Sequence, residues 1–113
     1  MMDESHFKTL REIANNNTLS QRDLSKKMGL SLGRVNCLVN ALIDKGYIKA
    51  RRFKNSKNKW AYMYVLTPKG ISEKLRLTYR FLKMKSEEHD RLKREIEGYV
   101  RDIKESGCNI NDP

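Results

Sequence analysis

The sequence predicts a mainly α fold with a small β hairpin, in which a basic N-terminal head precedes one long C-terminal helix. Three observations carry this. Three short amphipathic segments with capping residues precede Gly46. Two runs rich in strand-forming residues, Tyr47 to Phe53 and Trp60 to Leu66, flank a polar turn. A stripe stepping by four and three residues then runs from Ile71 to Ile103.

Asp3 or Ser5 can cap the first helix, whose Phe7, Leu10 and Ile13 share a face. Asn15-Asn16-Asn17 ends it, because Asn disfavours helix interiors and accepts turn geometry. Ser20 caps the second helix, with Asp23 at its third position as in a capping box. Leu24 and Met28 form its apolar side, and Gly29 supplies a left-handed turn. Ser31 caps the third helix, which is expected from about Leu32 to Lys45. Val35, Leu38, Val39 and Leu42 make its buried stripe, and Gly46 closes it. Two helices joined by Gly29-Leu30-Ser31 have the spacing of a helix-turn-helix.

The two strands form a hairpin with the basic tip Lys54 to Lys59, which makes the arrangement a winged helix-turn-helix. Trp60, Tyr62, Tyr64 and Leu66 share one face of the second strand. Trp60 and Tyr62 are expected in the hairpin core, although either ring could stack on a base. Thr67 caps the last helix, with Pro68 at its first position.

Along that helix Ile71, Leu75, Thr78, Leu82, Lys85, His89, Leu92, Ile96, Tyr99 and Ile103 alternate by four and three. A step sustained that long predicts a dimerising coiled coil. Leu77, Phe81 and Met84 widen the apolar face and are expected to pack on the chain's own or a partner's winged domain. An unbroken helix of about 38 residues would span roughly 57 Å, more than one small head can cover. Gly98 could kink or break it. Parallel pairing would bring Glu88 to Lys93 of a second copy, and antiparallel pairing would bring Lys74 towards Asp102. The expected divisions are a winged domain over 1–67, a dimerisation helix over 68–106 and a tail over 107–113.

Charge separates the head from the helix. Residues 1–68 carry thirteen Lys/Arg against five Asp/Glu, a net +8, whereas residues 69–113 carry eleven against nine. The whole chain has a formal charge of +10. An excess held in the head suits a polyanion, and double-stranded DNA is the expected partner. The two cysteines, Cys37 and Cys108, have neither metal spacing nor a disulfide framework, which fits the reducing cytoplasm. No apolar run approaches the roughly 18–20 residues of a membrane span. The segment Met1 to His6 is polar, unlike a signal peptide. His6 and His89 stand far apart, and no nucleophile, phosphate-loop or metal motif occurs, so no enzyme activity, metal or cofactor is expected.

The third helix would expose Ser31, Leu32, Gly33, Arg34, Asn36, Cys37 and Asn40. In a major groove, Arg bonds guanine and Asn bonds adenine in bidentate fashion, so Arg34 and Asn36 are the expected base readers, with Asn40 next. Gly33 would let the backbone approach closely, and Cys37 is read as a small residue facing the groove. Ser20, Gln21 and Arg22 open the preceding helix, where free amides and a cation suit a phosphate. Lys26 and Lys27 could add to that contact. Arg51, Arg52, Lys54, Lys57 and Lys59 would place the wing on the backbone or in the minor groove.

Three stretches resemble the MarR family of bacterial regulators: Ser20 to Ser31, Leu42-Ile43-Asp44-Lys45-Gly46-Tyr47-Ile48, and Leu66-Thr67-Pro68-Lys69-Gly70. The segment Phe53 to Lys59, with the Leu66 to Ile71 stretch and the long charged helix, is similar to the subgroup associated with exopolysaccharide clusters. The resemblance covers about residues 5–105. It implies a cytoplasmic, homodimeric transcription factor on a palindromic operator, with the third helix in the major groove and the wing in the minor groove. Carried over, the groove-reading role falls on Ser31, Gly33, Arg34, Asn36, Cys37 and Asn40. The chain departs from the family in two places. Asn55-Ser56-Lys57-Asn58 stands where the family wing has an Asp that orients an Arg. The family's long N-terminal dimerisation helix is not expected, which leaves pairing to Ile71, Leu75, Leu82, His89, Leu92, Ile96, Tyr99 and Ile103. The family's small-molecule pocket lies between such parts, so the resemblance implies no effector. Two other readings stay open: an architectural protein that binds duplex DNA without strong sequence preference, and a winged helix that binds proteins.

Overall fold

A computed structural model describes residues 2–54, 57 and 60–107. The element order is α1 (Glu4–Asn15), α2 (Gln21–Met28), α3 (Leu32–Asp44), β1 (Ile48–Lys54), β2 (Trp60–Leu66) and α4 (Pro68–Glu105). The chain forms two compact units, Met1–Thr78 and Tyr79–Pro113.

Capping chemistry sets the ends of the short helices. Asp3 caps α1 by accepting from the backbone N–H of His6, whose ring returns a bond to the Asp3 backbone. Ser20 and Asp23 cap α2 reciprocally: the Ser20 hydroxyl accepts from the Asp23 N–H, and the Asp23 carboxylate accepts from the Ser20 N–H. Gly29 ends α2 at φ +65°. The turn that follows is tied by Leu30 N–H to the Ser25 carbonyl and by the Ser25 hydroxyl to the Leu30 carbonyl. Ser31 then caps α3 by accepting from Arg34 N–H at 3.1 Å.

The first unit closes around one apolar centre. Leu10 and Ile13 of α1, Leu24 of α2, Val35, Leu38, Val39 and Leu42 of α3, and Ile48 of β1 are buried. Leu77 of α4 is fully buried as well, and Phe81 is buried further along the helix. Thr9 is the buried polar residue, and its hydroxyl donates to the Ser5 carbonyl at 2.8 Å. The hairpin is antiparallel, with Ile48 opposite Leu66, Ala50 opposite Tyr64 and Arg52 opposite Tyr62. Its base reaches the core through Ile48 and Tyr64.

The expectation that Tyr62 lies in the hairpin core is corrected: Tyr62 is 56% exposed. Its cross-strand partner is Arg52, and the hairpin at that level has run past the helices that cover its base. Asn55, Ser56, Asn58, Lys59 and the Trp60 side chain lie outside the described residues, as do Cys108 and the expected tail after Gly107.

Two stretches of the sequence, Lys45-Gly46-Tyr47 and Thr67-Pro68-Lys69-Gly70, meet in one joint. After α3 the chain makes a Schellman ending: Tyr47 N–H bonds the Leu42 carbonyl, Gly46 N–H bonds the Ile43 carbonyl, and Gly46 sits at φ +76°. The start of α4 is fastened to this ending. Thr67 N–H donates to the Tyr47 carbonyl, its hydroxyl donates to the Gly46 carbonyl, and the same hydroxyl accepts from Gly70 N–H as a helix cap. Lys69 Nζ donates to the Lys45 carbonyl at 3.0 Å and lies 5.3 Å from the centre of the Tyr47 ring. Gly70 is required here by contact, since a Cβ would fall 1.8 Å from the Tyr47 carbonyl oxygen.

Helix α4 runs unbroken through Gly98. Leu77 and Phe81 are buried within this chain, whereas Met84 is half exposed. The four–three stripe remains open: Ile71, Leu75, Leu82, Leu92, Ile96 and Tyr99 expose 48% to 60% of their surface. Thr78, Lys85 and His89 are exposed too, and Ile103 is partly so.

These contacts set the expected effects of substitution on stability. Gly70→Ala should cost more than about 3 kcal/mol in urea unfolding, because backbone must move. Gly33→Ala should change stability by less than about 1 kcal/mol, since its Cβ would meet nothing within 4 Å. Both are compared at one protein concentration, since any self-association would be linked to stability. Asp23 is held below the ordinary carboxyl value of 3.8 by the Ser20 backbone N–H first and the Ser20 hydroxyl second. A carboxyl depressed in the fold stabilises it above the ordinary value and loses that contribution as pH falls through the depressed one. Acid titration below pH 3.8 should therefore destabilise the wild type more than Asp23→Asn, and Ser20→Ala should cost about 1 kcal/mol at neutral pH.

Candidate nucleic-acid interface

Helix α3 has two faces with different work. Val35, Leu38, Val39 and Leu42 turn into the core, while Ser31, Leu32, Gly33, Arg34, Asn36, Cys37 and Asn40 are exposed. The second set contains all six residues expected to face a groove. Gly33 has open space where its Cβ would be. Cys37 is a free, exposed thiol.

The opening of α2 lies beside this face. Ser20, Gln21 and Arg22, together with Leu32 of α3 and Tyr62 and Tyr64 of β2, line an open cleft of about 310 Å³. The Ser20 side chain is engaged in its capping exchange with Asp23, so a phosphate there would meet backbone amides and Arg22 rather than that hydroxyl. Arg22, Lys26 and Lys27 are exposed, and Lys27 Nζ lies 3.9 Å from Glu12. On the wing, Arg51, Arg52, Lys54 and Lys57 are exposed.

Three features of the site are invisible in the linear pattern. Gln21 Nε2 donates to Asn36 Oδ1 at 3.2 Å and to Tyr64 Oη at 3.0 Å, so its amide ties α2 to the exposed face of α3 and to β2. Asp3, the cap of α1, lies 3.8 Å from the Arg34 guanidinium. At that distance, with both groups exposed, the pair contributes little stability and leaves Arg34 available. Tyr62 presents an exposed ring at the cleft. No sequence signal could have shown the first two, because both join residues from separate elements.

Among the described residues no group of His, Cys, Asp and Glu could hold a metal ion, and no helix is long and apolar enough to cross a membrane.

Comparison with known proteins bears on the same region. Residues 2–49 match the family described as winged helix-turn-helix DNA-binding. No curated protein sequence matches the chain at a significant level. Several solved structures share its fold. A variant of MepR from a multidrug-resistant S. aureus clinical isolate aligns with a TM-score of 0.63 at 18% identity, covering 91% of this chain and 80% of that one. Streptococcus pneumoniae FabT, solved in complex with DNA, aligns with a TM-score of 0.59 at 22% identity, covering 92% and 77%. A MarR protein from Peptoclostridium difficile aligns with a TM-score of 0.65 at 15% identity, covering 92% and 72%. The chain thus has the winged helix-turn-helix fold of the MarR regulators, and its residues 2–49 match the winged helix-turn-helix DNA-binding family.

Proposed function

We propose that the protein is a homodimeric transcriptional regulator that binds a pseudopalindromic operator sequence-specifically, in the cytoplasm. The observation that carries this reading is the division of α3. Its buried stripe fixes the helix, and its other face presents Arg34, Asn36 and Asn40 to solvent. Those are the side chains that read guanine and adenine edges in a major groove. The exposed wing basics Arg51, Arg52, Lys54 and Lys57 supply phosphate or minor-groove contacts, with Lys59 assigned the same role. Backbone amides at Gln21 and Arg22 take a further phosphate, beside the Ser20 N–H that is committed to Asp23. Ser31, Gly33 and Cys37 complete the groove-facing surface.

Pairing is assigned to α4. An open stripe of Ile71, Leu75, Leu82, Leu92, Ile96, Tyr99 and Ile103, with His89 between, is a seam that a second copy can close. The residues around the seam are nearly charge-balanced, which permits close approach of two like chains. The likeness of Phe53 to Lys59 to exopolysaccharide-associated regulators makes promoters of such clusters the first DNA to try.

Binding to genomic fragments, including DNA upstream of the protein's own gene, should exceed binding to random duplex by about 10³-fold at physiological salt. Arg34→Ala and Asn36→Ala should each lose about 5- to 150-fold on the preferred site. Arg52→Ala should weaken all duplexes alike and lower the salt slope by about one. Equal, steeply salt-dependent binding to every duplex would instead identify an architectural protein. Sedimentation should give a dimer for the wild type and a monomer for the double variant Leu82→Glu, Ile96→Glu. A wild-type monomer at micromolar concentration would remove the homodimer from the proposal.

A further inference from the structure

The Gln21 amide spans two elements that the sequence keeps far apart. One of its N–H groups goes to Tyr64 Oη on β2, at 3.0 Å, and the other to Asn36 Oδ1 on α3, at 3.2 Å. The two ends differ in burial. Tyr64 is 5% exposed, packed at the base of the hairpin and paired across the sheet with Ala50. Asn36 stands on the exposed face of α3. A buried group therefore holds Gln21, and Gln21 holds a solvent-facing one.

This matters because an asparagine amide is two-sided. Its oxygen accepts and its nitrogen donates, and an unrestrained Asn turns either edge outward at little cost. Reading adenine needs both at once: the oxygen accepts from N6 and the nitrogen donates to N7. With Gln21 donating, as it does here to the Tyr64 hydroxyl, a reversed Asn36 would set N–H against N–H, so the sense of the Asn36 amide is tied to that of Gln21 and cannot reverse alone. Asn36 Oδ1 keeps a second lone pair, and Nδ2 keeps its protons, for a base edge.

We propose that Gln21 and Tyr64 are positioning residues for Asn36, a network that fixes its amide before DNA arrives and so sets a preference for adenine at one base pair of each half-site. The proposal rests on the reading of the protein as a sequence-specific DNA binder. It also alters the part given to Gln21: its backbone N–H can serve a phosphate, but its side chain serves the base. Through Tyr64, the strand that bears the wing governs what the recognition helix reads. Fixing a polar group in its bound geometry raises discrimination by removing the cost of ordering it on contact.

The test is selection from a randomised duplex library by the full-length protein, followed by titration of the selected duplex with each base pair replaced in turn. Asn36→Ala identifies the pair it reads, as the position at which preference disappears. Tyr64→Phe keeps the buried ring and removes only the hydroxyl, and Gln21→Met keeps the side-chain length without its amide. Melting curves check that both variants fold. Each is expected to lose about tenfold in preference at that pair alone, with the rest of the motif and the salt slope unchanged. Gln21→Met should add nothing in an Asn36→Ala background, because the effect passes through Asn36. Retained preference at that pair in both variants would overturn the proposal. So would uniform weakening on all duplexes with a lower salt slope, which would return the Gln21 side chain to a phosphate. An Asn36→Ala protein with an intact motif would overturn it while leaving the regulator reading standing. A wild type that selects no motif would overturn both.

Discussion

The joint at the Tyr47 carbonyl is the constraint on which the rest of the molecule depends. That oxygen accepts from Thr67 N–H and lies against Gly70, while Thr67 and Lys69 occupy the neighbouring carbonyls of Gly46 and Lys45. The turn itself satisfies the last carbonyls of α3, and the start of α4 supplies partners for the carbonyls that follow them. The exit of α3, the entry of β1, the exit of β2 and the entry of α4 are thereby held at one point. The recognition helix cannot change its angle without disturbing the wing, and the wing cannot swing without disturbing α4.

From that joint the interface is built outwards. α3 is fixed on one side by Val35, Leu38, Val39 and Leu42, and its length is set by Ser31 at one end and Gly46 at the other. The capped start of α2 and the buried part of β2 then bound a cleft beside its exposed face. Gln21 uses this closeness. A side chain at the first position of α2 can touch both a strand and α3 only because the turn at Gly29 folds α2 back against α3. The candidate site is thus a property of three elements, α2, α3 and β2.

α4 follows a different logic. Leu77 and Phe81 are buried within the chain, but the four–three stripe beside them is left uncovered along the helix. Six large apolar side chains at about half exposure recur at regular spacing along one face, the pattern a partner helix could cover. Charge is divided likewise: residues 1–68 carry most of the positive excess, and residues 69–113 carry little.

Much of this was legible in the sequence because it is local. Caps at Asp3, Ser20 and Ser31, the left-handed glycines Gly29 and Gly46, and the strand-forming runs each act within a few residues, so pattern reads them directly. The apolar periods of α3 and α4 likewise state which faces seek cover. Sequence alone therefore determined the elements, the exposed face of α3 with Arg34, Asn36 and Asn40, and the open stripe of α4. It misjudged Tyr62, because alternation assigns a face but not how far along the hairpin the core reaches. Only the tertiary structure decided that Leu-Thr-Pro-Lys-Gly and Lys-Gly-Tyr are two halves of one joint, that Asp3 lies by Arg34, and that Gln21 links Tyr64 to Asn36. Those contacts join residues 15 to 43 positions apart, where no local rule operates and only the packing of whole elements brings donor to acceptor.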